Sequence, residues 1–292
     1  MIQYFKHDPW SIVEEGFNPA MHEVAESICS IGNGFMGQRA NFEETYSGKS
    51  LQGSYIGGVY YPDKTRVGWW KNGYPEYFAK VLNSTNWIGL SVEIDGEMLD
   101  LNVWKVEAFR RELDMKRGLL HRSFTATSPL GKSIEVRCTR FYSLKHPDFA
   151  AMEYVVKALN FNAGIRVNMY NEGAVRNKDS NYDELFWESV PNGVQVFEEQ
   201  STLSMRTRKL GWVLSTATRN HCALNGHALQ GIGQSTETNA SHMFTAQVKA
   251  GDVLRMEKFS VLCSNFRYPD ADTAQMALNL LHSLGSISLE HH

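Results

Sequence analysis

One stretch of the chain, residues 26–44, combines closely spaced glycines with paired charges, and it reads ESICSIGNGFMGQRANFEE. Gly32, Gly34 and Gly37 have the spacing G-x-G-x-x-G, which holds a dinucleotide pyrophosphate where a buried strand leads into an amphipathic helix. No apolar helical face follows Gly37, and residues 56–58, where an acid should meet the ribose, are Ile-Gly-Gly. We therefore predict a tight turn between strands, in which glycine and asparagine supply positive φ angles.

Paired carboxyl groups are the second feature that could carry out a reaction, because glycosidic bond cleavage uses one carboxyl as general acid and often another as base. None of the 32 acidic residues has a spacing that selects such a pair. Glu43 and Glu44 are adjacent, so on a strand they would point to opposite faces and could not share a substrate. We predict that one of them forms a structural ion pair with Arg39. Glu112 and Asp114 share a face of an extended chain, where alternating charges indicate a solvated strand edge or a domain contact.

Aromatic residues are concentrated between residues 60 and 78, and this cluster is the best candidate for a ligand site. Tryptophan and tyrosine rings stack on the C–H faces of sugars. We predict substrate contact by Trp69, Trp70 and Tyr74, and the alternative is packing in the core or between domains. Prolines and glycines in this region favour a long loop or a set of short strands.

Composition excludes several classes of function. The chain has 292 residues, 42% of them apolar, and a net charge of -3 without a basic run, so we expect no nucleic-acid partner. There is no apolar run of about 18 residues and no cleavable signal segment, which predicts a cytoplasmic protein without a membrane span. Residues 289–292, LEHH, look like the start of a vector-encoded tag.

The cysteines and histidines do not form a metal-binding pattern. We expect no metal and no organic cofactor, since no C-x-x-C, H-x-H or H-x-x-x-H spacing occurs before the tag. The cysteines are far apart in the chain, and we interpret them as buried free thiols of a reducing compartment. They are Cys29, Cys138, Cys222 and Cys263.

Two hairpins have a register that the sequence predicts. Asp95-Gly96 is a type I′ turn signal between alternating apolar residues, and it places Val92 opposite Leu99, Leu90 opposite Leu101 and Ile88 opposite Val103. A three-residue loop ending at Gly131 similarly predicts further cross-strand pairs. These are Ala126 with Ile134, Phe124 with Val136, and Arg122 with Cys138, where an inward arginine requires a partner charge or weaker burial.

Alternating strand-like runs continue to the early 260s, with turn signals every 8 to 12 residues or so. We predict an all-β fold, a large two-sheet antiparallel β-sandwich of the supersandwich type, over residues 1–268. The period changes to 3.6 after Pro269, which predicts a short C-terminal helix capped by Asp270 or Asp272. Its apolar face comprises Ala274, Ala277, Leu278, Leu281 and Leu284, for which we expect no partner within this chain.

Residues 26–44 also resemble the opening block of the glycoside hydrolase family 65 disaccharide phosphorylases, in particular those acting on maltose. The resemblance continues through short blocks that follow in the order used by that family, and together they cover most of residues 8–268. The blocks are Leu51-Gln-Gly-Ser-Tyr55, Gly58-Val-Tyr60, Asn86-Trp-Ile-Gly-Leu90, Asp95-Gly96 and Arg111-Glu-Leu-Asp-Met-Lys-Arg-Gly-Leu119.

This resemblance implies an N-terminal, non-catalytic domain of an inverting phosphorylase that converts maltose and inorganic phosphate to glucose and β-glucose 1-phosphate. Residues 269–288 would begin a helical linker to a catalytic (α/α) barrel, absent here, that carries the general acid and the phosphate site. No catalytic residue is therefore carried over to this chain, which alone should be inactive. The domain would support the barrel, contribute an active-site loop and help to form a homodimer.

Two other classes remain open at this point. A free-standing carbohydrate-binding module would bind oligosaccharides through Trp69 or Trp70, whereas a purely structural domain would self-associate without binding sugar. Calorimetric titration with maltose and sedimentation would separate them. A trehalose-cleaving hydrolase or phosphorylase of the same family is a further alternative, because the resemblance places substrate choice outside this chain.

Overall fold

Antiparallel strands dominate the computed structural model, which describes residues 4–65, 73–178, 184–269 and 271–284. The strands are β1 Phe5–His7, β2 Ser11–Glu15, β3 Ile31–Gly32, β4 Met36–Gln38, β5 Ser54–Ile56, β6 Tyr60–Lys64, β7 Tyr77–Val81, β8 Leu90–Ile94, β9 Glu97–Met98, β10 Lys105–Asp114, β11 Leu119–Thr127, β12 Ser133–Tyr142, β13 Phe149–Ala158, β14 Ala163–Glu172, β15 Trp187–Val196, β16 Gln200–Thr207, β17 Val213–Leu224, β18 His227–Ala228, β19 Ile232–Ser235, β20 Asn239–Val248 and β21 Val253–Ser264. The helices are a 3-10 turn Pro19–Met21, α1 His22–Ile28 and α2 Thr273–Leu284.

Two stacked sheets form the body of the described chain. The larger sheet has the order β1-β2-β10-β11-β12-β13-β21-β17-β16-β15, with β18 paired to β17, and the smaller has the order β19-β20-β14-β8-β9. Inward side chains such as Phe124 and Tyr154 of the larger sheet share one core with Val167 and Phe244 of the smaller sheet. The predicted all-β, two-sheet antiparallel sandwich is therefore confirmed.

The predicted register of one hairpin is observed in full, and that of the other only next to its turn. β11 and β12 pair Ala126 with Ile134, Phe124 with Val136, and Arg122 with Cys138. In the other hairpin, the amide of Leu99 donates to Val92 O at 2.8 Å. The expected pairings of Leu90 with Leu101 and of Ile88 with Val103 are wrong, because β9 ends at Met98, the backbone turns at Asp100, and Val103 is 59% exposed.

Two strands continue through local turn or polar signals. Asn192-Gly193, a dipeptide common in turns, does not separate two strands, because β15 runs through it with a register shift between Ser189 and Val194. Asn192 has a positive φ of 56° at this bulge, a conformation that asparagine tolerates better than most residues. β17 likewise continues to Leu224 through the polar residues Asn220 and His221.

Helix α2 packs on the outer face of the larger sheet, so the expectation that its apolar face lacks a partner is wrong. Ala277, Leu278 and Leu281 contact the outward side chains of Phe259 and Val261. Asp272 caps the helix, since its Oδ1 atom accepts from the amides of Ala274 and Gln275. The residues of the predicted face are buried except Ala274, which is half-buried.

All four cysteines are buried and free, as predicted. Burial raises the pKa of the Cys29 thiol to about 11 and that of Cys222 to about 12, so both remain protonated near neutral pH. Within the described ranges, no helix is long and apolar enough to cross a membrane.

Candidate functional site

The glycine-rich stretch forms a tight turn between β3 and β4, as the sequence predicted. Gly34 adopts a φ of 87°, and the Oδ1 atom of Asn33 accepts from the amides of Phe35 and Met36. The amide group of Asn33 also donates to the carbonyl oxygens of Ser143 and Pro147, at 2.8 and 2.9 Å. Since Gly37 lies on a strand and not at a helix N-terminus, this turn lacks the geometry that binds a pyrophosphate.

Glu26 and Asn41, at the two ends of this stretch, hold the loop that precedes β5. Glu26 accepts hydrogen bonds from Asn41 Nδ2 at 2.8 Å, Ser50 Oγ at 2.5 Å and the amide of Leu51 at 2.9 Å. Asn41 also accepts from the amide of Gly53 at 3.0 Å. Both side chains are buried, and their hydrogen bonds hold residues 50–53 in place.

Glu43 and Glu44 converge on one buried arginine of the larger sheet. Arg122 donates to Glu44 through both terminal nitrogens and to Glu43 Oε2 at 2.6 Å. Glu43 Oε1 accepts in addition from Arg140 at 2.8 Å. The prediction of opposite faces is wrong, because these residues are not on a strand, although their predicted structural role agrees with the geometry.

The predicted ion pair of Arg39 with Glu43 or Glu44 is wrong as well. Arg39 Nη2 donates to the carbonyl oxygen of Glu23 at 2.9 Å, while the carboxylates pair with arginines of β11 and β12. The sequence did indicate that the actual partner, Arg122, points into the core. Arg122 alternates with Phe124 and Ala126 on the inward face of β11, where an unpaired charge would be costly.

A third inward arginine, Arg111 on β10, joins this network and was missed by the sequence reasoning. It stands opposite Arg122 in the strand pair and approaches Glu14 at 3.4 Å and His22 Nδ1 at 3.2 Å. His22 Nε2 lies 3.1 Å from Glu26, which connects the network to the loop scaffold. Arg111 alternates with Phe109 and Leu113 along the strand, and this spacing could have indicated that its side chain points inward.

The charges in this cluster stabilise one another's ionised forms. Burial by itself would raise the pKa of Glu43, but the positive charges of Arg122 and Arg140 outweigh it and hold that pKa below its ordinary value. Burial would lower the pKa of Arg122, yet Glu44 and Glu43 hold it well above its ordinary value. Glu43 is therefore ionised near neutral pH and engaged by two arginines, which suits structure and not proton transfer.

Replacing Glu43 by glutamine is expected to have a pH-dependent effect. The folded pKa of Glu43 lies below that of an unfolded glutamate, about 4.3, so its stabilisation is present above that value and is lost as pH falls through the folded pKa. The difference in free energy of unfolding between the unchanged protein and Glu43→Gln should be largest near neutrality and shrink below about pH 5. Urea denaturation at several pH values measures this, with exposed Glu107→Gln as control, and a pH-independent difference would contradict it.

The aromatic candidate region forms a projecting two-stranded ribbon, β6 paired with β7. Its base is held by Tyr61, which is buried, packs on Phe186 at 4.7 Å between ring centroids and donates to Glu184 at 3.1 Å. Lys209 donates to the carbonyl oxygen of Pro62 at 3.1 Å. An isolated two-stranded ribbon is marginally stable, so these anchors determine its position.

The ribbon presents aromatic side chains to solvent. Tyr74, Tyr77 and Phe78 are 47%, 50% and 44% exposed, and Tyr60 contacts Trp212, which in turn contacts Phe266. We call the six residues Tyr60, Tyr74, Tyr77, Phe78, Trp212 and Phe266 the aromatic ribbon surface. Exposed aromatic residues in such a group mark interaction sites more often than isolated surface residues do.

Of the predicted substrate-contacting residues, Tyr74 belongs to this surface, and its ring centroid lies 6.4 Å from that of Phe78. Trp69 and Trp70 lie outside the described residues, so their contact with a substrate stays a prediction. The alternative for this cluster was packing in the core. Among the tyrosines described in the ribbon, Tyr61 is buried in this way and the others are exposed. Within the described ranges, no three His, Cys, Asp or Glu side chains are grouped so as to hold a metal ion.

Comparison with known proteins identifies the family. The sequence profile of the "Glycosyl hydrolase family 65, N-terminal domain" matches residues 12–290. The chain is 47% identical over 189 residues to a maltose phosphorylase of Bacillus subtilis (strain 168), covering 65% of this chain and 25% of that protein. It is 29% identical over 232 residues to an α,α-trehalose phosphorylase of Thermoanaerobacter brockii, covering 76% and 29%.

A solved structure has the same fold. It belongs to a protein from the human microbiome assigned as a kojibiose phosphorylase, and it superposes with a TM-score of 0.85 at 23% identity. The match covers 98% of this chain and 37% of that chain. This chain thus spans about a quarter to a third of the length of the curated relatives cited above.

Proposed function

The chain belongs to glycosyl hydrolase family 65, as its N-terminal domain, and we propose that it serves a disaccharide phosphorylase whose catalytic part follows in the longer protein. In this proposal, residues 1–268 form the sandwich domain and residues 269–288 begin the connection to a catalytic barrel. The buried arginine–glutamate cluster supports this role, because it engages the acids of the most characteristic stretch in structural ion pairs.

For the substrate, we propose maltose, with inorganic phosphate as the second substrate. The 47% identity to a maltose phosphorylase supports this choice over the α,α-trehalose and kojibiose phosphorylases, which are 26–29% identical. Phosphate would attack the anomeric carbon as the bond to the leaving oxygen breaks, and a general acid would protonate that oxygen. The products are glucose and, with inversion, β-glucose 1-phosphate.

The aromatic ribbon surface is the contact that we propose with the catalytic part. Five of its six rings are exposed, and the chain spans a quarter of its maltose phosphorylase relative. Apolar rings of this kind stabilise an interface when they are removed from water. Trp69 and Trp70, between the two strands of the ribbon, would extend this contact toward the substrate. A cytoplasmic location and a homodimer are further parts of the proposal.

Phosphorolysis assays test the assignment directly. We expect the whole protein to release glucose and β-glucose 1-phosphate from maltose only when phosphate is present. The 292-residue chain alone should release neither, because in this proposal the general acid and the phosphate site belong to the catalytic part. Glucose release without phosphate would favour the hydrolase alternative, and turnover by this chain alone would refute the non-catalytic role.

Replacement of Phe78 by glutamate tests the proposed contact. In the whole protein, Phe78→Glu places a charge in the interface and should lower the phosphorolysis rate at least about tenfold, roughly 1.4 kcal/mol. In this chain alone it should leave the melting temperature unchanged, because Phe78 is already exposed. Leu130→Glu, at a position 76% exposed in a hairpin loop, is the matched control. Equal rates for both variants would place the interface elsewhere.

The alternatives make different predictions for the same surface. A carbohydrate-binding module would lose maltose affinity in a variant with Trp69 and Trp70 replaced by alanine, without a requirement for a catalytic part. A structural dimerisation domain would show self-association by sedimentation that depends on the ribbon and would bind no sugar.

A further inference from the structure

A polar groove lies on the outer face of the smaller sheet, between the loop at residues 46–52, strand β14 and residues 174–178. Its cavity volume is about 740 Å³, which lies within the range of small-molecule sites in proteins. The described residues that line it include none from the aromatic ribbon surface, so the groove is a separate feature.

The floor of the groove consists of alternate residues of β14 that point away from the core. Asn168, Tyr170 and Glu172 line it, while the intervening Val167 and Met169 are buried between the sheets. Glycine at position 89 leaves the space that the Tyr170 ring occupies, since a Cβ there would lie 2.3 Å from a ring atom. The strand therefore presents an aromatic ring flanked by an amide and a carboxylate.

The rim of the groove is held by hydrogen bonds before any ligand arrives. Glu26 fixes the amide of Leu51 at 2.9 Å, and Lys178 Nζ donates to the carbonyl oxygen of Ser50 at 2.9 Å, joining the two walls. Asn86 and Glu172 exchange two backbone hydrogen bonds, at 2.8 and 3.1 Å. A preformed rim lowers the ordering cost of binding.

Two amide oxygens in the groove have no hydrogen-bond partner among the described residues, Oδ1 of Asn86 and Oδ1 of Asn168. Both oxygens are closed to solvent, so a ligand in the groove would meet the other polar atoms of its lining. The Glu172 carboxylate is held in place, since it accepts from the amide of Ala174 at 2.7 Å and from Asn239 Nδ2 at 3.1 Å. Its remaining lone pairs allow further acceptance.

We propose that this groove binds a neutral saccharide. Hydroxyl groups of a sugar would donate to Glu172 and form hydrogen bonds with other polar side chains of the lining, and its C–H face would pack on the Tyr170 ring. Burial and the charge of Glu172 raise the pKa of Tyr170, so its hydroxyl remains protonated at neutral pH. The volume is sufficient for a disaccharide.

The groove has charges of both signs. Lys178, which is bonded to Ser50 across the rim, and Arg176, which takes part in a further interaction, are its basic residues. Glu172 places a negative charge on the floor, which would repel phosphate. A ligand with hydroxyls and no net charge satisfies the acceptors without meeting this repulsion.

Titration of this 292-residue chain with maltose, followed by two-dimensional amide NMR, tests the proposal. We expect saturable shifts at millimolar Kd, up to about 20 mM sugar, centred on residues 46–52, Asn168 and Tyr170. Asn168→Leu places an apolar side chain in the groove and should weaken binding at least about tenfold. Arg166→Leu, on the same face of the same strand but outside the groove, is the matched control and should bind like the unchanged protein.

Several results would overturn the proposal. These are no saturable shifts in the unchanged protein, equal affinity in Asn168→Leu, saturable shifts with inorganic phosphate in place of maltose, or loss of binding only when Trp69 and Trp70 are replaced by alanine. Glu172→Gln, a substitution of the same size, should weaken binding as well because it removes the charged acceptor, which guards against misfolding of the leucine variant. Since the titration uses this chain alone and the phosphorolysis assay uses the whole protein, either proposal can fail without the other.

Discussion

Replacing Arg122 by methionine should lower the free energy of unfolding by about 3–5 kcal/mol, the usual cost of leaving a buried charge without its partner. Glu44 would lose both hydrogen bonds that Arg122 donates to it, and Glu43 would keep the one hydrogen bond from the Arg140 side chain. Both carboxylates are buried, so water cannot replace the lost donors. Urea denaturation at neutral pH measures the effect.

Two comparisons decide whether buried charge is the cause. Arg110→Met removes exposed pairs to Glu15 and Glu112 and should cost no more than about 1 kcal/mol. A double variant with Arg122→Met and Glu44→Gln should be more stable than Arg122→Met alone, because one unpaired carboxylate is removed. An equal loss in the double variant would indicate that Arg122 stabilises by packing and not by charge.

Replacing Leu281 by alanine should lower the free energy of unfolding by about 2–5 kcal/mol, as expected for a large-to-small change in a packed core. Leu281 is 1% exposed and belongs to the second core, formed by α2 with the outer face of the larger sheet. Phe259 and Val261 of β21 would border the resulting cavity. Thermal and urea unfolding of this chain provide the measurement.

Asn279→Ala is the matched control, because Asn279 lies on the exposed side of the same helix and should change stability by no more than about 0.5 kcal/mol. If Leu281→Ala were equally mild, α2 would not be docked on the sheet in solution. In that case the helix would require a partner outside this chain, as the sequence alone suggested.

Local signals account for the parts of the fold that were predicted correctly. The pairing of Ala126 with Ile134 follows from a short loop and an alternating pattern, and a slip of one residue would turn the apolar side chains to solvent. The same reasoning failed at Val103, because Asp100 begins a turn that the apolar pattern does not reveal. A pattern of period two persists only as long as the strand continues.

The candidate sites were less accessible to sequence reasoning than the fold. The aromatic ribbon was found from composition. Which of its rings are exposed depends on the tertiary structure, because Tyr61 is buried against Phe186 and the neighbouring rings stay outside the core. The polar groove had no local signature, since Tyr46, Asn86, Asn168 and Asn239 come from four separate parts of the chain. Their proximity depends on β14 lying between β8 and β20.

Lys258 shows the same dependence on tertiary structure. It lies on β21 in alternation with the core residues Leu254, Met256 and Leu262, and its amine donates to the carbonyl oxygens of Gly89 at 3.1 Å and Tyr170 at 2.6 Å, linking the two sheets. Burial lowers its pKa well below the ordinary lysine value. The sequence shows an interrupted apolar pattern there but not the carbonyl groups that accept the hydrogen bonds.

The sequence alone predicted an antiparallel β protein, the hairpin registers close to the turns and a helix with a defined apolar face. It also showed the family resemblance. Those properties depend on residues close together in the chain, where turn geometry and side-chain period leave few alternatives. Only the tertiary structure decided that Glu43 and Glu44 meet Arg122, that α2 covers the larger sheet and that a groove opens on the smaller one. Such contacts join segments far apart in sequence, and many chemically equivalent partners compete until the sheets close.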